Sequence, residues 1–403
     1  MDRRRLEDVF QKVIIVGLYG FALTSPWSVA GAGGAIILCL LGWMGKSIFM
    51  DRKRWQRSPL DLPILAYLGA QFLSFCFSPY RFNSLKAFKG EWIVLFFFLL
   101  MNNLREERVA DRLLKVLVSV TSLISIYAIW QHFFGLDLYR HRLLQAKGNV
   151  FISTGLFGHH LTYGGYVMVI LLFSLAFFLW GAMKWRPLYG VSILFSGLGL
   201  LFSYARSSWF GLVGGVLSMA LIKGKKVLIP TLAGMFFLGG LIILTQPTIR
   251  ERITDAVDIS NPSSGTRIRL WQTSWRMVKD RPLLGVGLGN FKRFFNQYKV
   301  TGHYDSISHS HNDLLNVGVN AGLLGVLGFL WIWWAFWRSS LKGYRQTSHP
   351  IFLGGFSSAV AFFLASLLQC YYTDAEDGML LWFVFGLVMA FYRIQRGKAE
   401  QPL

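Results

Sequence analysis

Acidic residues are scarce in this chain of 403 residues, with 20 Asp and Glu against 41 Lys and Arg. Cysteine is scarcer still: Cys39, Cys76 and Cys370 lie in or beside apolar runs, and none stands at CxxC spacing. That excludes a disulfide framework and a thiolate metal site. No Asp, Glu, Lys or Arg falls near the middle of any apolar run, where ion-coupled transporters normally carry such groups, so transport is disfavoured. A basic stripe interleaved with aromatics on a soluble module is also missing, and nucleic acid is not expected as a partner. The cationic excess has a simpler source, because basic residues of membrane proteins collect in cytoplasmic loops and at lipid headgroups. No internal repeat or low-complexity segment is found. A cleavable signal peptide is not expected, since the apolar run after Arg3-Arg4-Arg5 leads through Pro26-Trp27 into a second run.

Apolar sequence is abundant, at 54% of residues. That is more than one soluble core of this length would use, and the chain reads as an all-α polytopic membrane protein. A helix needs roughly 20 mainly apolar residues to cross the hydrocarbon core. On that ruler about twelve spans are expected, with cores near 13–23, 29–43, 62–77, 92–104, 113–134, 161–183, 188–202, 209–222, 227–244, 314–337, 351–371 and 379–392. With a cytoplasmic N-terminus, the inner segments hold 24 of the Lys and Arg residues and the short outer loops 7. This asymmetry places both termini in the cytoplasm. It divides the chain into spans one to nine over 1–244, a long periplasmic loop over 245–310, and spans ten to twelve over 311–403.

The long loop has its own organisation. A turn-rich break at Pro262-Ser263-Ser264-Gly265 precedes Ile268, Trp271, Trp275 and Met277-Val278 at helical spacing among Arg267, Arg269, Arg276 and Lys279. That pattern predicts an amphipathic helix lying at the membrane surface. Asp280-Arg281-Pro282 ends it, and Gly285-Val286-Gly287-Leu288-Gly289 leads to a second short surface helix ending near Tyr298. The glycine run follows no strand, so it fails the context test for a dinucleotide loop and reads as a turn between the two helices.

Three features on the outer side carry candidate chemistry. Arg206, in Ser203-Tyr204-Ala205-Arg206-Ser207-Ser208, occupies a tight turn between two spans. An arginine so near the bilayer needs an anionic partner or must snorkel to headgroups. Arg267, with Arg269 beside it, opens the loop helix; a guanidinium forks onto phosphate oxygens, although a solvated position would also suit it. The third feature is Ser308-His309-Ser310-His311-Asn312-Asp313, where the loop re-enters a helix. An imidazole there has the ordinary affinity for a proton that a general base needs near neutral pH. Zinc is the competing use of His303, Asp305, His309 and His311, but their spacing matches no zinc pattern. The acidic turn Thr373-Asp374-Ala375-Glu376-Asp377 reads as a solvated turn, with Asp374 able to position His311 or meet an acceptor sugar.

Several runs together resemble the O-antigen ligase and polymerase superfamily. They are Arg267 with Trp271, then Asp280-Arg281-Pro282-Leu283-Leu284-Gly285-Val286-Gly287-Leu288-Gly289-Asn290-Phe291, His309-Ser310-His311-Asn312 with Leu315, and Gly322-Leu323-Leu324-Gly325. Thr154-Gly155-Leu156-Phe157-Gly158-His159 and Tyr204-Ala205-Arg206-Ser207 are similar to the family's weaker upstream motifs. The resemblance implies a GT-C type glycosyltransferase of the bacterial inner membrane with its active site facing the periplasm. Its donor would be a glycan on undecaprenyl pyrophosphate. For the ligase branch the acceptor is a sugar hydroxyl of lipid A-core; for the polymerase branch it is another lipid-linked repeat unit. Ligation to a protein hydroxyl and a lipid-linked glycan transporter are the other readings. The resemblance further implies catalysis by Arg206, Arg267 and His311 with no metal or cofactor. Arg269, His309, Asn312 and Asp374 are the expected substrate-binding residues, with Arg269 and His309 the near neighbours able to exchange roles with Arg267 and His311.

Overall fold

Long apolar runs leave backbone polar groups no partner in lipid except one another, and here they become helices. The computed structural model describes residues 3–49, 55–257, 262–304 and 307–399. In chain order the helices are α1 Arg3–Thr24, α2 Val29–Phe49, α3 Asp61–Cys76, α4 Arg81–Phe88, α5 Leu95–Asn103, α6 Glu107–Phe134, α7 His160–Trp180 and α8 Arg186–Phe202. They continue as α9 Arg206–Lys223, α10 Lys225–Thr245, α11 Pro247–Val257, α12 Pro262–Asp280, α13 Phe291–Tyr298, α14 Asp313–Thr347, α15 Pro350–Ser366 and α16 Ala375–Ala399. Between α6 and α7 the chain forms two small antiparallel ladders, pairing Leu136–Asp137 with Arg142–Leu143 and Ala146–Lys147 with Val150–Phe151. The all-α architecture is as expected, apart from these ladders.

Among the described residues, seven helices are long and apolar enough to cross a membrane, including α2, α6, α7, α10, α14 and α16; α3 and α15 are shorter apolar helices. Three expected segments come out differently. The span expected over 92–104 is a tight 3-10 turn over Lys89–Val94 followed by the nine-residue α5. At about 1.5 Å per residue, that helix alone is too short to cross. The break expected at Pro262 is instead the start of α12. Proline suits a helix's first turn because its missing N–H would have no intrahelical partner there. The span expected over 314–337 is broken at Gly322, whose φ is +62° and ψ −160°.

α7 and α16 are the most enclosed helices, whereas α10 has no buried residue along its apolar window and packs chiefly on α9. α9 and α15 approach closely: a Cβ on Gly211 would stand 2.5 Å from the Ala361 carbonyl oxygen. Small residues permit such contact, which matters in lipid because apolar burial alone does not distinguish a neighbouring helix from an acyl chain.

The loop helices form a second core. Leu270 and Met277 of α12, Val286, Phe291, Phe294 and Phe295 of α13, and Val319 of α14 pack together. The face of α12 turned into the protein is Thr266, Leu270, Thr273, Ser274 and Met277, while Trp275 of the expected apolar stripe stays 52% exposed. The glycine run locks this layer onto the break in α14. Val286 N donates to Val319 O at 2.8 Å, and Leu323 N to Pro282 O at 2.7 Å. A Cβ on Gly322 would lie 2.3 Å from Leu283 O, and one on Gly285 2.3 Å from Val319 O. Both glycines have positive φ, so the turn expected from the sequence is also a backbone clasp.

Gly322→Ala meets both a backbone clash and a left-handed φ, and should destabilise the fold by on the order of 1–3 kcal/mol. Thermal unfolding in detergent checks this, with Gly234→Ala as the control because nothing lies within 4 Å of a Cβ at that position.

Candidate active site

The turn between α8 and α9 positions Arg206. Ser203 Oγ donates to Leu200 O at 2.7 Å and accepts from Ala205 N at 3.3 Å, while Tyr204 takes a φ of +52°. Arg206 follows as the first residue of α9, and its buried Nη1 has no hydrogen-bond partner among the described residues. α11 docks on the same turn: the Tyr204 hydroxyl lies 3.1 Å from Thr248 Oγ1, and Arg252 Nε donates to Tyr204 O at 3.4 Å. His160, opening α7, places Nδ1 2.8 Å from Ser203 O.

Arg267 of α12 reaches the same place. Arg206 and Arg267 each feel the repulsion of Arg252, and Arg206 that of Arg267. Burial pushes the Arg267 guanidinium below its ordinary pKa; neighbouring Tyr371 works in the opposite sense and Arg252 in the same sense. Burial likewise lowers Arg252, partly offset by Asp255. Asp255 is itself 3.9 Å from Lys147, so it is shared. Three guanidiniums from three elements therefore crowd one place with little counter-charge, an arrangement that favours an anionic ligand. Arg269 goes elsewhere. Its Nε donates to His303 O at 2.9 Å, and its guanidinium lies over the Tyr304 ring. His303 is exposed, and Asp305 lies outside the described residues.

His311 sits at the mouth of α14 with a φ of +49°. That conformation costs a non-glycine residue about 1 kcal/mol or more and persists only where neighbours fix it. His311 N donates to His309 Nδ1 at 3.1 Å, and the Trp271 indole N–H donates to His311 O at 3.5 Å. Asn312 caps α14, accepting from Leu315 N at 3.0 Å and donating to Leu367 O at 2.8 Å. The ring is held by Gln369, whose Oε1 lies 2.6 Å from His311 Nδ1. That acceptor assigns the proton to Nδ1 and leaves the Nε2 lone pair free. Burial lowers the pKa of His311; the Gln369 hydrogen bond opposes this, while Arg267 and His159 add to it. His309 is pushed down to about 4 by burial and by His311. Both imidazoles are therefore neutral near pH 7.

Buried Asp313 joins these parts. Its Oδ2 accepts from Tyr371 N at 3.0 Å and Tyr372 N at 2.8 Å, and the Tyr371 hydroxyl lies 2.8 Å from both Ser207 Oγ and Ser208 Oγ beside Arg206. The acidic turn differs from expectation. Asp374 accepts from Thr162 Oγ1 at 2.8 Å, and Gln369 takes the place beside His311 for which Asp374 was considered. Asp377 is not solvated: it is 0% exposed, and neither carboxylate oxygen has a hydrogen-bond partner among the described residues.

Arg206, Arg267 and His311 are thus brought together, His309 adjoins them, and Arg269 and Asn312 serve the loop and the helix cap. Sequence reasoning missed Arg252, Gln369, His160 and Tyr371. Arg252 looked like one more loop charge; the available signal was Ile249 three residues earlier, which buries against Ile152 and Tyr204.

Apolar helices that bring three arginines and an imidazole pair together define a polytopic membrane protein. Residues 191–330 match the family model described as O-antigen ligase. The matched segment contains Arg206, Arg252, Arg267, His309 and His311, whereas Gln369 and Asp374 lie beyond it. No curated protein matches the chain.

Gln369→Glu would put a carboxylate on Nδ1, favour the imidazolium and move the His311 titration to higher pH, whereas Gln369→Leu would move it lower. Histidine ring NMR on the detergent-solubilised protein, with His311→Gln to assign the resonance, checks both directions.

Proposed function

We propose that the protein transfers a glycan from undecaprenyl pyrophosphate to a sugar hydroxyl of lipid A-core on the periplasmic face of the bacterial inner membrane. The observation that carries this reading is the convergence of Arg206, Arg252 and Arg267 on one place beside a neutral His311. A pyrophosphate supplies the anion that three partly buried guanidiniums require, and the superfamily's chemistry supplies the reason for an imidazole next to it.

In this mechanism His311 Nε2 takes the proton of the acceptor hydroxyl as its oxygen attacks C1 of the donor sugar. The bond from C1 to the phosphate oxygen breaks, and undecaprenyl pyrophosphate leaves with the electron pair. The arginines offset the charge growing on the departing phosphate, and Gln369 holds the histidine ring through its protonated Nδ1. A single displacement inverts C1. No metal or cofactor takes part in these steps. The prenyl chain runs into lipid along the apolar surface near Leu201, Trp209 and Ile242, which adjoin the Arg206 turn. Arg269, His309, Asn312 and Asp374 act around this centre rather than on the breaking bond. Both termini then lie in the cytoplasm, in keeping with the distribution of basic residues.

In reconstituted membranes, His311→Ala should lower kcat by about 10²–10⁴-fold. Arg206→Ala, Arg252→Ala or Arg267→Ala should each lower it by about 10²–10³-fold. Transfer surviving at normal protein level in the His311 variant contradicts the assigned base. Because His311 must be neutral and its pKa is lowered, kcat/KM should fall on the acid side with an apparent pKa below about 6.5.

Deleting the gene should leave uncapped lipid A-core and accumulate lipid-linked polymer on lipopolysaccharide gels. Caps of one repeat would instead indicate a polymerase, and unchanged lipopolysaccharide a different acceptor.

A further inference from the structure

A cavity of about 540 Å³ opens beside His309. Its walls come from α2, α3, the 3-10 turn before α5, the first part of α14 and the turn before α16. Among the described residues its lining includes no Lys or Arg, but it includes the carboxylates Glu91 and Asp374. Glu91 is fixed in place: Gln71 Nε2 donates to Oε1 at 2.9 Å and the Tyr372 hydroxyl to Oε2 at 2.8 Å. Asn316 is 5% exposed and lines the cavity beside Asn320. A side-chain amide on the wall can both donate to and accept from a ligand hydroxyl. The aromatic walls Tyr67, Trp92 and Tyr372 offer apolar faces to a sugar ring, while the carboxylates and the amide meet hydroxyls. His309 lines the cavity, and its ring centroid is 4.2 Å from that of His311.

We infer that this cavity binds an uncharged sugar of the acceptor glycan, with Asn316 and Glu91 as its specificity-determining residues. The inference rests on the proposed transfer reaction and adds a division of charge to it. The anionic donor sits on the guanidinium side of the imidazole pair, and a neutral acceptor sugar sits on the carboxylate side. A phosphorylated sugar would meet Glu91 and Asp374 and be repelled. The neutrality of the acceptor at this position is therefore written into the pocket rather than left to the chemistry of transfer.

The test measures binding of delipidated, dephosphorylated core oligosaccharide to the full-length protein in detergent by saturation-transfer NMR, with a version carrying a phosphate on its outer sugar as the comparison. Asn316→Ala should weaken binding of the neutral oligosaccharide at least tenfold, while binding of undecaprenyl pyrophosphate stays unchanged. Glu91→Gln should narrow the preference for neutral over phosphorylated oligosaccharide, a change that loss of folding would not produce. Retained oligosaccharide affinity and charge preference in both variants would overturn the inference, as would displacement of the oligosaccharide by inorganic pyrophosphate. A wild-type protein that binds the neutral oligosaccharide with these dependences yet transfers nothing would sink the transfer reaction alone. Transfer with acceptor KM unmoved in Asn316→Ala would sink only the pocket.

Discussion

The site depends on a buried carboxylate that holds two chain segments together. Asp313, the first residue of α14, accepts from the backbone amides of Tyr371 and Tyr372 in the connection between α15 and α16. Tyr371 then reaches Ser207 and Ser208 at the start of α9. Through this short network His311, Gln369 and Arg206 occupy fixed places although more than 100 residues separate Arg206 from His311 in sequence. Burying a carboxyl group is costly, and here the two bonds accepted by Asp313 Oδ2 assemble the site while Oδ1 has no hydrogen-bond partner among the described residues. The chemistry and the helix packing therefore share the same residues.

The loop layer supplies the remaining constraint. Cationic side chains near a bilayer normally escape to headgroups or water. The clasp between Gly285 and Gly322 and the small core around Leu270 and Phe295 instead fix α12 on α14, while α11 is fixed on the turn at Tyr204. Arg252 and Arg267 are consequently brought against Arg206 rather than dispersed. Mutual repulsion among the three is a standing cost that an anionic ligand removes. This is the physical link between a loop that folds on the bundle and the pyrophosphate binding proposed for these arginines.

Much of this was legible in the sequence, for a definite reason. Apolar runs of membrane length have few structural options, so most helices, the turn at Arg206 and the helix start after His311 could be placed from composition and periodicity. The resemblance motifs then singled out Arg206, Arg267 and His311. Long-range pairing was not legible. Gln369 lies 58 positions from its histidine, and nothing in its neighbourhood marks it as an imidazole partner. Arg252 sits in a charged amphipathic helix where solvation is the ordinary outcome. Asp377 belongs to a turn whose composition suggests exposure, yet packing closes over it. The break at Gly322 was hidden because the apolar pattern continues through it, and only the opposing backbone at Leu283 reveals why the helix cannot.

The central claim is that Arg206, Arg252 and Arg267 form one pyrophosphate site next to His311. The most direct measurement is a cryo-electron microscopy structure of the full-length protein in lipid nanodiscs with undecaprenyl pyrophosphate bound. Both phosphates are expected among these three guanidiniums, with the terminal phosphate on the side of His311. Phosphate density at the Lys and Arg residues of the opposite end of the bundle, with the three arginines left apart, would contradict it.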